Sequence, residues 1–77
     1  MDLSSDLVNI LEIVGTTRTM HTLGVLDQVK RMTQVVGGSF DKEEVLSLLK
    51  TLENKGLLRY LPKIESWKIT EEGKDYI

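Results

Sequence analysis

The sequence predicts a mainly helical domain with a small β component: three helices followed by a two-stranded β-hairpin. Three observations predict it. Apolar residues recur at helical spacing in three separate stretches. Gly-containing stops punctuate those stretches at Gly15, Gly37-Gly38 and Gly56. After the last stop, two short apolar runs flank a tip containing Pro62, the only proline of the chain.

The first helix is expected at about 4–14. Ser4 or Ser5 caps it, and Asp6 sits in its first turn, where a carboxylate meets the positive end of the helix dipole. Leu3, Leu7, Ile10, Leu11 and Val14 form its apolar stripe, and Gly15 is a C′ stop. Thr16 to Thr19 reads as a polar linker. The second helix is expected at about 20–35, capped by Thr19 or Thr22. Its stripe runs through Leu23, Leu26, Val29 and Met32, with Val36 as an extension. Gly24 interrupts that pattern, at a cost of about 1 kcal/mol relative to Ala, and is a point where another helix can approach closely.

Gly37-Gly38-Ser39 is the clearest turn signal. It separates two helices, as a helix-turn-helix requires. It is not a phosphate loop, since no Lys-Ser/Thr pair follows it and no strand precedes it. The third helix is expected at about 41–55. Asp41 caps it, Glu44 completes a capping-box pattern, and Phe40 can staple onto Val45. Its stripe is Val45, Leu48, Leu49 and Leu52, and Lys55-Gly56 ends it. Leu57 to Leu61 is the first hairpin strand, residues 62–66 the tip, and Trp67 to Thr70 the return. Glu71-Glu72-Gly73 opens a last helical turn from which Tyr76 and Ile77 can pack on the core.

With 77 residues the chain reads as one domain spanning 1–77. There is no cysteine, hence no disulfide framework and no thiolate metal site. Met1-Asp2-Leu3 does not open a secretory signal, and no apolar run approaches membrane-span length, so a cytoplasmic setting, or a nuclear one in a eukaryote, is expected. His21 is the sole histidine and lacks companions at ligand spacing, so no metal and no other cofactor is expected. No nucleophile elbow or other catalytic constellation is present, so an enzyme is not expected. Glu43, Glu44, Glu71 and Glu72 read as helix-start carboxylates rather than an acid/base pair.

Net charge is -2. It is unevenly spread: residues 1–17 carry only Asp2, Asp6 and Glu12, whereas 18–40 carry Arg18, Lys30 and Arg31 against Asp27. Nucleic-acid affinity rests largely on neutralising phosphates, so this balance argues against tight binding by a monomer.

Leu48-Leu49 and Leu52-Glu53, running into Lys55-Gly56-Leu57-Leu58, with the later Trp67-Lys68-Ile69-Thr70-Glu71-Glu72-Gly73-Lys74, resemble the C-terminal half of winged helix-turn-helix regulators, such as the MarR-like, PadR-like and small archaeal families. The stretch Gly56-Leu57-Leu58-Arg59-Tyr60-Leu61-Pro62-Lys63 is also similar in layout to the C-terminal winged helix of archaeal replicative helicases. The first resemblance implies a DNA-binding module of transcription regulation, with the third helix in the major groove and the hairpin "wing" on the backbone. The second implies a protein–protein interaction appendage of a replication or other multi-subunit machine. The acidic start of the third helix, Asp41, Glu43 and Glu44, favours the latter.

If the third helix reads DNA, its readers lie opposite the apolar stripe: Ser47, Lys50 and Asn54, with Glu43 beside them and Thr51 at the edge. The bland reading of the same residues is a solvated helix face. Lys63 at the hairpin tip, flanked by Arg59 and Lys68, suits phosphate or minor-groove contact; hairpin solubility is the alternative. Lys30 and Arg31, with Arg18, are expected to reach the backbone from the second helix. Trp67 is expected to pack the hairpin on the helices rather than stack on a base. The partners expected are DNA or a protein, with no membrane. A homodimer through the first helix, where Val8 and Ile13 flank the main stripe, would present two reading units.

Overall fold

A computed structural model describes residues 3–77 of the chain; Met1 and Asp2, with the acidic charge read at Asp2, lie outside them. Four helices and a three-stranded antiparallel sheet alternate in the order α1 (Ser5–Gly15), β1 (Met20–His21), α2 (Thr22–Val36), α3 (Lys42–Asn54), β2 (Leu58–Leu61), β3 (Ser66–Ile69) and α4 (Glu71–Lys74). The strands lie in the order β1-β3-β2. The mainly helical class with a small β part stands, with two corrections. The sheet has three strands rather than two, and the C-terminal turn is a fourth short helix.

The third strand comes from the segment read as linker and helix start. Met20 pairs with Trp67 and His21 with Ser66. Two residues are too few to show alternation, so this strand carries no periodic signal. It sets the start of α2 at Thr22 instead of residue 20. The cap of α2 is His21, whose Nδ1 accepts from the Leu23 amide at 3.1 Å. Thr22 ties the helix to the hairpin. Its amide and its hydroxyl both donate to the Glu65 carbonyl, at 3.0 and 3.1 Å, and its hydroxyl accepts from the Trp67 indole N–H at 2.9 Å. Glu65 holds a left-handed backbone, φ 48°, to present that carbonyl.

The core forms where the three long helices meet the inner sheet face. Leu7, Ile10, Leu11 and Val14 of α1 are buried, as are Val45, Leu49 and Leu52 of α3. Leu58, Trp67 and Ile69 close it from the sheet. Trp67 also meets Tyr60, its cross-strand neighbour, with ring centroids 4.7 Å apart. The packing role read for Trp67 is therefore what the fold contains. The stripe of α2 is rotated from the expected one. Val25 and Leu26 are buried, whereas Leu23, Met32 and Val36 are exposed. Tying Thr22 to the hairpin turns the helix so that Val25, not Leu23, faces the core.

The helix ends follow from hydrogen bonding. Gly37 (φ 76°) and Gly56 (φ 77°) take the left-handed conformation after α2 and α3. At the first, Gly38 donates to the Thr33 carbonyl and Gly37 to Gln34; at the second, Leu57 donates to Leu52 and Gly56 to Glu53. This doubled pattern satisfies carbonyls a helix otherwise leaves open. Asp41 caps α3, accepting from the amides of Glu43 and Glu44 at 3.0 and 3.4 Å. Gly15 is no left-handed stop. It is the last residue of α1, and a Cβ there would meet the Ile77 side chain at 2.8 Å. Ile77 thus touches α1, although both it and Tyr76 stay exposed rather than joining the core. At Gly24 the nearest neighbour is the Met20 side chain rather than another helix.

Candidate nucleic-acid interface

The expected site residues all reach solvent, and they fall into three groups. The first lies on α3. Ser47, Lys50 and Asn54 are exposed opposite buried Val45, Leu49 and Leu52. Thr51 turns its hydroxyl back on the Ser47 carbonyl at 3.0 Å, which leaves its oxygen as an acceptor only. Lys50 Nζ lies 3.7 Å from Glu53 Oε1, with Lys50 largely exposed. Such a loose surface pair is worth well under about 1 kcal/mol and leaves Lys50 available to a phosphate.

The second group lies on the outer face of the sheet. Arg59 and Lys68 are direct cross-strand partners. Their in-register neighbours Leu58–Ile69 and Tyr60–Trp67 turn inward, so strand alternation sends both cations outward together. Like charges placed opposite one another are unfavourable. This pair sits beside an open concavity between the sheet, the end of α1 and α4, which Arg18, Lys74 and the threonines of the 16–19 loop also line. Lys74 Nζ is 3.3 Å from Glu71 Oε1. Among the described residues no carboxylate lies within ion-pair distance of Arg18, Arg59 or Lys68. Arg18 therefore belongs with the hairpin cations and not with α2. Neither Arg18 nor Lys74 could be assigned to this cluster from sequence, because the folding of the α1–β1 loop and the docking of α4 bring them there. Lys63 stands apart at the exposed hairpin tip, next to an exposed Ile64.

The third group, Lys30 and Arg31, is exposed on α2. Arg31 Nε is held 3.1 Å from Asp27 Oδ2 one turn earlier. None of the α2 or α3 residues lines the sheet-side concavity, so the structure brings Arg59 and Lys68 together with Arg18 and leaves Ser47, Lys50 and Asn54 as a separate surface.

His21 uses Nδ1 as the α2 cap, and its Nε2 faces Glu65 Oε2 at 3.5 Å. No group of three or more potential metal ligands occurs among the described residues. No helix among the described residues is long and apolar enough to cross a membrane. No protein-family model, curated protein or solved structure matches the chain.

Proposed function

We propose that this domain is a non-enzymatic, winged-helix nucleic-acid-binding module that acts in transcription regulation, with α3 in the major groove and the β2–β3 hairpin on the backbone. The observation that carries the reading is the outward Arg59–Lys68 pair. A chain of net charge -2 sets two cations face to face beside Arg18, with no carboxylate among the described residues within ion-pair distance of them. Folding alone gains nothing from that arrangement, whereas a phosphate relieves the repulsion and releases counterions. The order of elements supports the winged-helix type, because a helix pair joined by a glycine turn runs directly into a hairpin. The exposed Ser47, Lys50 and Asn54 supply donors and acceptors suited to base edges and phosphates. The assignment to transcription rests on the resemblance of Leu48–Leu58 and Trp67–Lys74 to the regulators.

The test is fluorescence anisotropy with a labelled random-sequence duplex at two salt concentrations. The double variant Arg59→Glu/Lys68→Glu is expected to weaken binding by more than roughly tenfold at low salt and to flatten the salt dependence by about two phosphate contacts. Lys50→Ala is expected to flatten it by about one. Binding unchanged by the double variant would remove the hairpin from the interface. No binding by the parent domain at low salt would overturn the function itself.

A further inference from the structure

The far end of the helical layer carries a different surface. The C-terminal half of α2 leaves Met32, Val35 and Val36 exposed at 46%, 86% and 80%. Large apolar residues grouped in this way mark interaction surfaces more often than chance exposure does. Beside them, α1, α2 and the start of α3 enclose a groove of about 310 Å³. Ile13, Met32, Val36, Phe40 and Leu48 supply apolar walls. Three carboxylates, Asp6, Asp41 and Glu44, stand on the lining, and no Lys or Arg does. Among the described residues none of the three is in an ion pair.

We infer that this groove is a docking site for an amphipathic helix of another protein, one that presents an apolar stripe flanked by Lys or Arg. Only helices and the α2–α3 connection build the groove, and no sheet strand lines it, so a partner cannot add as a strand, and a helix laid in on its apolar face is the mode that suits an apolar groove between helices. Charge complementarity fixes the flanks, since the three carboxylates attract a basic helix and repel an acidic one. A second copy of this chain is disfavoured on the same ground. A two-fold dimer sets a patch against itself, which here would bring two sets of three carboxylates together. The inference is independent of nucleic-acid binding, because the groove shares no lining residue with the sheet-side cations or with Ser47, Lys50 and Asn54.

Two synthetic peptides of roughly 18 residues test it, both with Leu at helical spacing, one flanked by Lys and one by Glu. Each is titrated into the isotopically labelled domain. The Lys-flanked peptide is expected to shift Ile13, Met32, Val36, Phe40 and Leu48 and to bind at least roughly tenfold more tightly than the Glu-flanked one. The rim variant Asp6→Lys/Glu44→Lys is expected to invert that order, and Met32→Ser/Val36→Ser to abolish both interactions. All four positions are exposed, and circular dichroism verifies that each variant is folded. Asp41 is left unchanged because it caps α3. Equal affinity for the two peptides, no binding of either, or shifts outside the groove would overturn the proposal. So would a concentration-dependent dimer in analytical ultracentrifugation that Val36→Ser dissolves, which would make the occupant a second copy.

Discussion

Thr22, Thr70 and Gly73 hold the C-terminal part of the chain in place, and the first and last make quantitative predictions. Thr22 serves the indole of Trp67 and the Glu65 carbonyl with one side chain. Thr22→Val keeps the shape but leaves a nearly buried indole N–H without its partner, so urea denaturation should register a loss of about 1–3 kcal/mol. Thr70 donates toward the carbonyls of Gly56 and Leu57 and accepts from the Gly73 amide at 3.0 Å, which explains why Thr-Glu-Glu-Gly follows the return strand. Gly73 is buried, and a Cβ there would press on the Leu57 carbonyl oxygen and reach Ile69 at 2.8 Å. Gly73→Ala should therefore cost about 1–3 kcal/mol. Gly24→Ala is the contrasting case. Its Cβ would meet only the flexible Met20 side chain at 3.3 Å, and the helix interior gains propensity. Thermal unfolding should show Gly24→Ala unchanged or more stable by up to about 1 kcal/mol.

At the scale of elements, α3 is the helix most fully defined by its own sequence. Cap, stripe and stop agree: Asp41 accepts two amides, Val45, Leu49 and Leu52 are buried with Leu48 partly buried beside them, and Gly56 is left-handed. Asp41→Ala should cost about 1 kcal/mol in urea unfolding. Because it alters the start of the helix and not the exposed Lys50 and Asn54, its effect on duplex binding should be small once the domain is folded. Helix α1 is equally legible, since its four buried residues all lie on the five-residue stripe read from spacing, whose first member, Leu3, precedes the helix and is partly buried. By contrast the buried face of α2 differs in phase from the expected one, because Leu23, Leu26, Val29 and Met32 make as regular a stripe as Val25, Leu26 and Val29. Long-range bonds from Thr22 to Glu65 and Trp67 decide between the two, and nothing local to α2 encodes them. Strand β1 was invisible for the related reason that Met20 and His21 become a strand only by pairing with Trp67 and Ser66. For the candidate interface, the outward direction of Arg59 and Lys68 was legible from hairpin alternation, and that of Ser47, Lys50 and Asn54 from helical spacing. The company of Arg18 was not, because it depends on the path of the α1–β1 loop.

Over the whole molecule, two surfaces differ in chemistry. Arg18, Arg59, Lys68 and Lys74 line the concavity beside the outer sheet face, whereas exposed Met32 and Val36 with the carboxylates Asp6, Asp41 and Glu44 line the groove between α1, α2 and α3. A small negative net charge is therefore compatible with a local attraction for phosphates, because the two regions have separate lining residues and screening limits cross-talk to about 10 Å at moderate salt. It also predicts that any duplex affinity will be modest and strongly salt-dependent, with most of the difference between salts carried by the hairpin cations. The most direct measurement is an NMR titration of the labelled domain with a random-sequence duplex, first at low and then at physiological salt. Nucleic-acid binding predicts shifts at Lys50, Asn54, Arg59, Lys63 and Lys68 that fade as salt rises. An unchanged spectrum at low salt, where phosphate attraction is strongest, or shifts confined to the groove around Met32 and Val36, would contradict it.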